Sequence, residues 1–387
     1  MDKDNRVIRV GFIGTYSNEW IAGLNYLTNL LYAISILEDK KIKPIVFVGK
    51  KTDAKIKQRL LPLALVVEHS LFDRKSFSWY IGKIFEKIFK SSFPLERLMM
   101  KYQIQVLSHA NVTNLKNCKI INWIPDFQHL HLPEMFSSAE IKSRNQLFKK
   151  MAKLSDVIVV SSQDAYNDFS KFAPEYQAKA QILRFVSKPN EKYAKLNAND
   201  KIILTKKYNL PDSFFYLPNQ FWKHKNHQTV FEAVKYLKDG GINIFMVCSG
   251  QMSDYRHASF VEKLKQYIQH YNLSRQIILL GLIDYADVFS LIKFSKAVIN
   301  PSLFEGWSST VEECKSVNKP MILSDLSVHR EQYPSAYFFK QDNPLELAVL
   351  LKNFDSYTPP TGDYDWVLQM REFGKNYESI VLELIKS

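Results

Sequence analysis

Residues 297–325 read AVINPSLFEGWSSTVEECKSVNKPMILSD. A short apolar run, Ala297–Asn300, meets a turn carrying Pro301 and Gly306. Ser308-Ser309-Thr310 then stands where a helix begins, since Ser and Thr accept hydrogen bonds from first-turn amides. Helical apolar spacing follows over Ser309–Val317, and Pro320–Leu323 reads as the next strand. Strand, loop, helix and strand in that order make one unit of a parallel sheet.

Working outward, the same alternation fills both flanks. Upstream, strand patterns at Phe214–Leu217, Ile244–Cys248 and Ile277–Leu280 alternate with helical patterns at His227–Lys238, Phe260–His270 and Tyr285–Phe294. A polar stretch at Ser187–Asp200 precedes them. Before it lie strands at Val7–Gly14, Lys43–Val48, Ile104–Leu107, Lys119–Trp123 and Val157–Val160, with helices at 24–37, Ile141–Ala152 and Gln163–Phe172. Trp366–Ile385 closes the chain as a long amphipathic helix. The expectation is two doubly wound α/β domains, 1–190 and 200–365, with residues 366–387 crossing back to the first. Ligands of open α/β sheets bind beyond the carboxyl ends of the strands, so the loops there should carry the chemistry, in a cleft the two domains face.

A chain of 387 residues with 46% hydrophobic and 24% charged residues can form sizeable cores, which excludes disordered and collagen-like classes. The three cysteines, Cys118, Cys248 and Cys314, form no C-x-x-C pair, so a disulfide framework and a cysteine zinc site are not expected. The N-terminus lacks a basic start with an apolar run, and no apolar run approaches the roughly 20 residues that span a bilayer. A cytoplasmic protein, or one peripheral on the inner face of the plasma membrane, is expected. The net charge of +13 is uneven: residues 1–190 carry 29 Lys and Arg against 17 Asp and Glu, the remainder 23 against 22. A basic first domain suits an anionic membrane surface. Phe77–Lys90 (FSWYIGKIFEKIFK) adds an amphipathic basic helix that suits either a lipid interface or a sheet. No nucleic-acid recognition motif accompanies the charge.

Glu305 falls at the strand end and Glu313 one turn inside the following helix, whose N-terminal amides form a site for phosphate oxygens. Two carboxylates beside an anion hole fit a ligand that presents both hydroxyls and a diphosphate. The run Pro301-Ser-Leu-Phe-Glu-Gly-Trp, with Glu305, Glu313 and Ser324-Asp325, resembles the glutamate signature of the retaining glycosyltransferases of family 4, whose fold is GT-B. The resemblance extends to the glycine loop at Gly23, Ser161-Ser162, Lys225, Gly281-Leu282-Ile283 and the closing helix.

The resemblance implies roles. Glu305 would contact the donor sugar near its anomeric carbon, Glu313 the ribose hydroxyls, and the Ser308, Ser309 and Thr310 amides the diphosphate. Backbone near Ile283 would meet the base, and Gly23 would let the chain approach the ligand without a Cβ. Family members commonly place a histidine near the donor sugar after the strand ending at Trp123; Asp126 and His129 are the candidates. In Asn219-Gln220-Phe221-Trp222-Lys223-His224-Lys225, Lys225 fits the lysine that clamps the diphosphate. Gln220 stands where many members have arginine, a loss that Lys223, His224 or Arg184 could offset. Ser308-Ser309-Thr310 departs from the commoner Gly-Leu-Pro. Glu312, about 100° around the helix from Glu313, is expected to face solvent.

The function implied is transfer of a hexose-type sugar (mannose, glucose or rhamnose) from a nucleotide-diphosphate donor to a saccharide or lipid-linked acceptor, with retention, in cell-surface polysaccharide synthesis. No metal or other cofactor is expected: His129, His131 and Glu134 lack the helical spacing of zinc ligands, and Asp363-Tyr364-Asp365 lies in the tail. The rivals are a sugar-nucleotide epimerase, a phosphorylase, and a catalytically silent subunit that binds nucleotide sugar, the last kept alive by Gln220.

Overall fold

A computed structural model of the chain describes residues 7–14, 21–89, 92–110, 115–357 and 364–386. Their contacts divide into two units. One comprises the described parts of Met1–Phe127, Lys142–Ser187 and Val367–Ser387; the other comprises Gln128–Ile141 and Lys188–Trp366.

The first unit is a seven-stranded sheet of β1 (Ile8–Ile13), β2 (Ile42–Val48), β3 (Leu65–Glu68), β4 (Val106–Ser108), β5 (Lys119–Trp123), β6 (Val157–Val160) and β7 (Ala180–Ile182), ordered β3-β2-β1-β4-β5-β6-β7. Every pairing is parallel. Parallel strands are covered by helices on both faces, which is why β4 and β6 are buried at every position. Helix Trp366–Lys386 lies against this unit, burying Met370, Phe373, Tyr377, Ile380, Val381 and Leu384. Its Glu378 carboxylate accepts the Lys41 amide at 2.7 Å.

The second unit is a six-stranded sheet of β8 (Phe215–Leu217), β9 (Met246–Ser249), β10 (Ile277–Gly281), β11 (Val298–Asn300), β12 (Met321–Ser324) and β13 (Tyr337–Phe339), ordered β10-β9-β8-β11-β12-β13 and again all parallel. The order reverses between β8 and β11, whose Tyr216 and Val298 are register partners. That reversal opens a crevice beyond the strand ends, the usual ligand position in such sheets.

Three strands escape the sequence reading: β3, β7 and β13, each at most four residues long. The helices Ala54–Leu60, Phe93–Lys101, Ala198–Tyr208 and Pro344–Asn353 are likewise additional to it. Among the described residues no helix is long and apolar enough to cross a membrane.

Candidate active site

The loops after β8 and β11 flank the reversal point of the second sheet and are tied together across it. After β8 the chain runs through Asn219 and a short helical turn, Lys223–Lys225, to Asn226 in the left-handed region (φ 56°), then enters helix His227–Asp239. Asn tolerates that conformation because its amide bonds locally. The Asn226 side-chain amide donates to the Pro301 and Gln341 carbonyls at 3.1 and 2.8 Å, and the Leu303 amide donates to the His224 carbonyl at 2.8 Å.

On this support Lys225 Nζ reaches Glu305 Oε1 at 2.5 Å, with both side chains largely buried. Ser302 Oγ lies 2.7 Å from the same Glu305 oxygen and 2.7 Å from Asn300 Oδ1. Asn300 extends the network: its Oδ1 accepts from Asn219 Nδ2 at 3.0 Å, and its Nδ2 donates to Ser308 Oγ at 2.9 Å. Thr310 Oγ1 stands 3.5 Å from Asn219 Oδ1. Burial alone would raise the Glu305 carboxyl. The Lys225 charge and the hydrogen bonds from Lys225 and Ser302 overcome that and hold it at about 2. Glu305 is therefore an ionised carboxylate at any physiological pH.

Glu313 lies one turn into helix Ser309–Lys315 and accepts from Tyr285 Oη at 2.7 Å. Burial pushes its carboxyl up to about 7, the Tyr285 bond pulling the other way. Ser308 caps the helix by accepting the Val311 amide at 3.4 Å. Its own amide is taken by Gln332 Oε1 at 3.0 Å. Of the three amides expected to bind a diphosphate, those of Ser309 and Thr310 are left as the first-turn donors without intrahelical acceptors.

Glu312 corrects an expectation. It is wholly buried, with Lys315 Nζ and Gln332 Nε2 each 2.9 Å from its Oε1 and Tyr364 Oη 3.3 Å from Oε2. A buried carboxylate is tolerated when a cation and further donors surround it; Lys315 of the same helix supplies the cation, and the helix Ser327–Gln332 and the tail before Trp366 supply the donors. Asp363 of the D-x-D lies outside the described residues.

Gln220 is exposed and Ile283 half-buried, packed against the apolar cluster that contains Tyr216, Phe289 and Val298. Asp126 belongs to the first unit, where Arg144 stands 4.0 Å away. His129 belongs to the second unit, buried in the short helix Gln128–His131, with Phe136 at 6.3 Å between ring centroids. Gly23 is buried in the first turn of helix Ile21–Ser35; most of the loop before it, 15–20, lies outside the described residues.

Asn300, Ser302, Gln332 and Tyr285 were missed, as single polar residues without motif spacing. Asn300 alone gave a signal: an amide at the end of an apolar strand needs buried partners. His329 was missed too. It is fully buried, its Nδ1 2.8 Å from the Ser324 carbonyl, and burial lowers its basicity.

Residues 198–354 match the model of the family Glycosyl transferases group 1. The matched segment contains the whole Lys225–Glu305 network. The chain is 21% identical over 263 residues to the O-antigen chain mannosyltransferase RfbU of Salmonella typhimurium, covering 67% of each chain. Among solved structures it is similar to Anabaena Alr3699/HepE in complex with UDP and glucose, with a TM-score of 0.67 and 13% identity over 98% of this chain and 100% of that one. It is also similar to the lipopolysaccharide outer core galactosyltransferase WaaB, with a TM-score of 0.59 and 14% identity over 97% and 99%. The fold is GT-B.

Proposed function

We propose that the protein is a retaining, metal-independent glycosyltransferase that moves a hexose-type sugar from a nucleotide-diphosphate donor to a saccharide or lipid-linked acceptor in cell-surface polysaccharide synthesis. The observation that carries this reading is the buried Lys225–Glu305 pair at the reversal point of the second sheet. The matches to an O-antigen mannosyltransferase and a lipopolysaccharide galactosyltransferase support the acceptor class.

In this reading Lys225 stabilises the charge that develops on the departing diphosphate, helped by the Ser309 and Thr310 amides. Glu305 accepts hydrogen bonds from donor-sugar hydroxyls and fixes the Lys225 ammonium. Its ion pair and its acidity make it a poor nucleophile, so we favour front-face displacement, with the donor phosphate taking the acceptor hydroxyl proton, over a glycosyl-Glu305 intermediate. Glu313 holds the ribose hydroxyls. Asp126, His129 and Gly23 are assigned to the sugar-facing side on the family resemblance alone. The membrane reading draws support from Phe77, 82% exposed, with Tyr80 and Ile84 half-exposed on the same helix. Beside it a surface cavity of about 560 Å³ is lined by His69, Arg97, Lys101, Pro94, Leu98 and Met100.

A thermal-shift screen against UDP-, GDP- and ADP-sugars, followed by product analysis of the one that stabilises, tests the proposal, because a ligand that binds only the folded state raises its stability by mass action. A new glycoside with the donor's anomeric configuration is expected. Sugar phosphate, epimerised donor, or binding without turnover would each replace the reading. Lys225→Ala and Glu305→Gln are each expected to lower turnover at least about tenfold, or about 1.4 kcal/mol of barrier.

A further inference from the structure

Lys225 is neutralised by Glu305 before any ligand arrives, so the pair alone offers a diphosphate no net charge. The groups expected to make up for Gln220 differ in what they offer. His224 is buried, and burial, with the Lys225 charge adding, brings it down to about 3, which leaves it neutral. Lys223 is exposed and tied to its surroundings through its amide. Arg184 is an exposed residue of the first unit.

One guanidinium is built into the same corner. The segment after β9 is knitted to the loop after β8: the Phe221 amide donates to the Gln251 carbonyl at 3.0 Å, and the buried Asp254 carboxylate accepts the Lys223 amide at 2.9 Å and the Arg256 amide at 3.0 Å. Gly250 permits the close approach, with φ of 141° and a Cβ position 2.4 Å from the Asn219 carbonyl oxygen. Arg256 is thereby carried onto an aromatic shelf, its guanidinium carbon 4.3 Å from the Phe136 centroid, 5.1 Å from Tyr255 and 5.8 Å from Trp222. Its Nε donates to Tyr255 Oη at 2.9 Å. Among the described residues no carboxylate pairs with it. Its charge acts on His224, as do those of Lys225 and Glu305.

We propose that Arg256 is the second cation of the diphosphate site, acting from the β9 loop in place of an arginine at 220. A guanidinium held by ring stacking and one Nε bond keeps both terminal nitrogens for a bidentate grip on phosphate oxygens. The inference rests on the glycosyltransferase reading and names the cation that reading lacks.

Calorimetric titration of the full chain with UDP, GDP and ADP, and with uridine, guanosine and adenosine, tests it. For the base that binds, Arg256→Gln is expected to weaken the diphosphate at least tenfold and leave the nucleoside unchanged. Arg256→Lys should be intermediate, and Gln220→Arg in the Arg256→Gln background should restore most of the loss. Wild-type diphosphate affinity in Arg256→Gln, or equal loss of diphosphate and nucleoside, overturns the proposal while leaving the function standing. If the unmodified protein binds none of the three diphosphates, both fall.

Discussion

Glu305 and Glu313 share one loop–helix junction and titrate in opposite directions, because one has a cation at 2.5 Å and the other only a phenol at 2.7 Å. Glu313 favours its neutral form in the fold, so the folded state keeps a proton that the unfolded chain loses above about 4.5. Its contribution is present below that value and is lost as pH rises through about 7, an effect of up to about 3 kcal/mol. Glu305 behaves oppositely, its contribution present above about 4.5 and lost as pH falls toward about 2. His109, His224 and His227, each brought down to about 3 by burial, add stability as pH rises through 6.5. Only a difference isolates Glu313. Urea unfolding of Glu313→Gln and wild type should give near-equal stability at pH 5 and a widening advantage for the variant by pH 8; a constant difference would sink the assignment. If Glu313 also takes ribose hydroxyls, wild-type affinity for the nucleoside should rise through pH 7 and that of Glu313→Gln should not. At this scale residue type and spacing single out the acidic pair, and the family resemblance singles out Lys225. Glu312 was not legible, because its burial depends on Gln332 and Tyr364, which lie 20 and 52 residues away.

The elements were legible where an apolar pattern marked them rather than by length alone: the three-residue β4, β8 and β11 were read, and the helices Ala198–Tyr208 and Pro344–Asn353 were not. Helices with a full apolar stripe, such as Gln163–Phe172 and Phe260–His270, declare themselves by periodicity, whereas the three- and four-residue strands β3, β7 and β13 are too short for any period to show. The start of helix Ser309–Lys315 is fixed by Ser308 from within and Gln332 from without. Gln332 accepts the Ser308 amide and donates to the Ser308 carbonyl and Glu312 at 3.0, 2.8 and 2.9 Å. Gln332→Ala strands a buried amide and removes one donor from a buried carboxylate, so it should cost about 2–4 kcal/mol. Ser308→Ala loses a cap and the Asn300 contact, for about 1 kcal/mol. Urea midpoints that rank these two in the reverse order would contradict the hydrogen-bond pattern. Gly250→Ala belongs to the same scale. The added methyl meets backbone, not a movable side chain, so the loops after β8 and β9 must part. Diphosphate affinity should fall in this variant even where circular dichroism remains native.

At the scale of the whole chain, the sequence reading has two runs of alternating strand and helix, with residues 366–387 expected to return to the first, but it does not separate Gln128–Ile141 from the first run. That is decided by long-range burial: Gln128–Ile141 groups with the second unit, and the described part of Val367–Ser387 with the first. The closing helix is therefore a test of how the first unit is held together. Six apolar side chains buried at about 1.5–3 kcal/mol each amount to roughly 10 kcal/mol or more, as large as the 5–15 kcal/mol that stabilises a typical domain. Gly374 marks a close approach, since a Cβ there would stand 2.5 Å from the Ala33 carbonyl oxygen. Truncation after Asp365 is expected to leave the first unit unfolded, and Gly374→Val to destabilise it without removing an apolar residue. Limited proteolysis followed by mass spectrometry distinguishes the units. In both variants cleavage should concentrate in residues 1–127 and 142–187 and spare the segment 200–355. Equal cleavage across the chain, or protection throughout, would show that the helix does not hold the first sheet together.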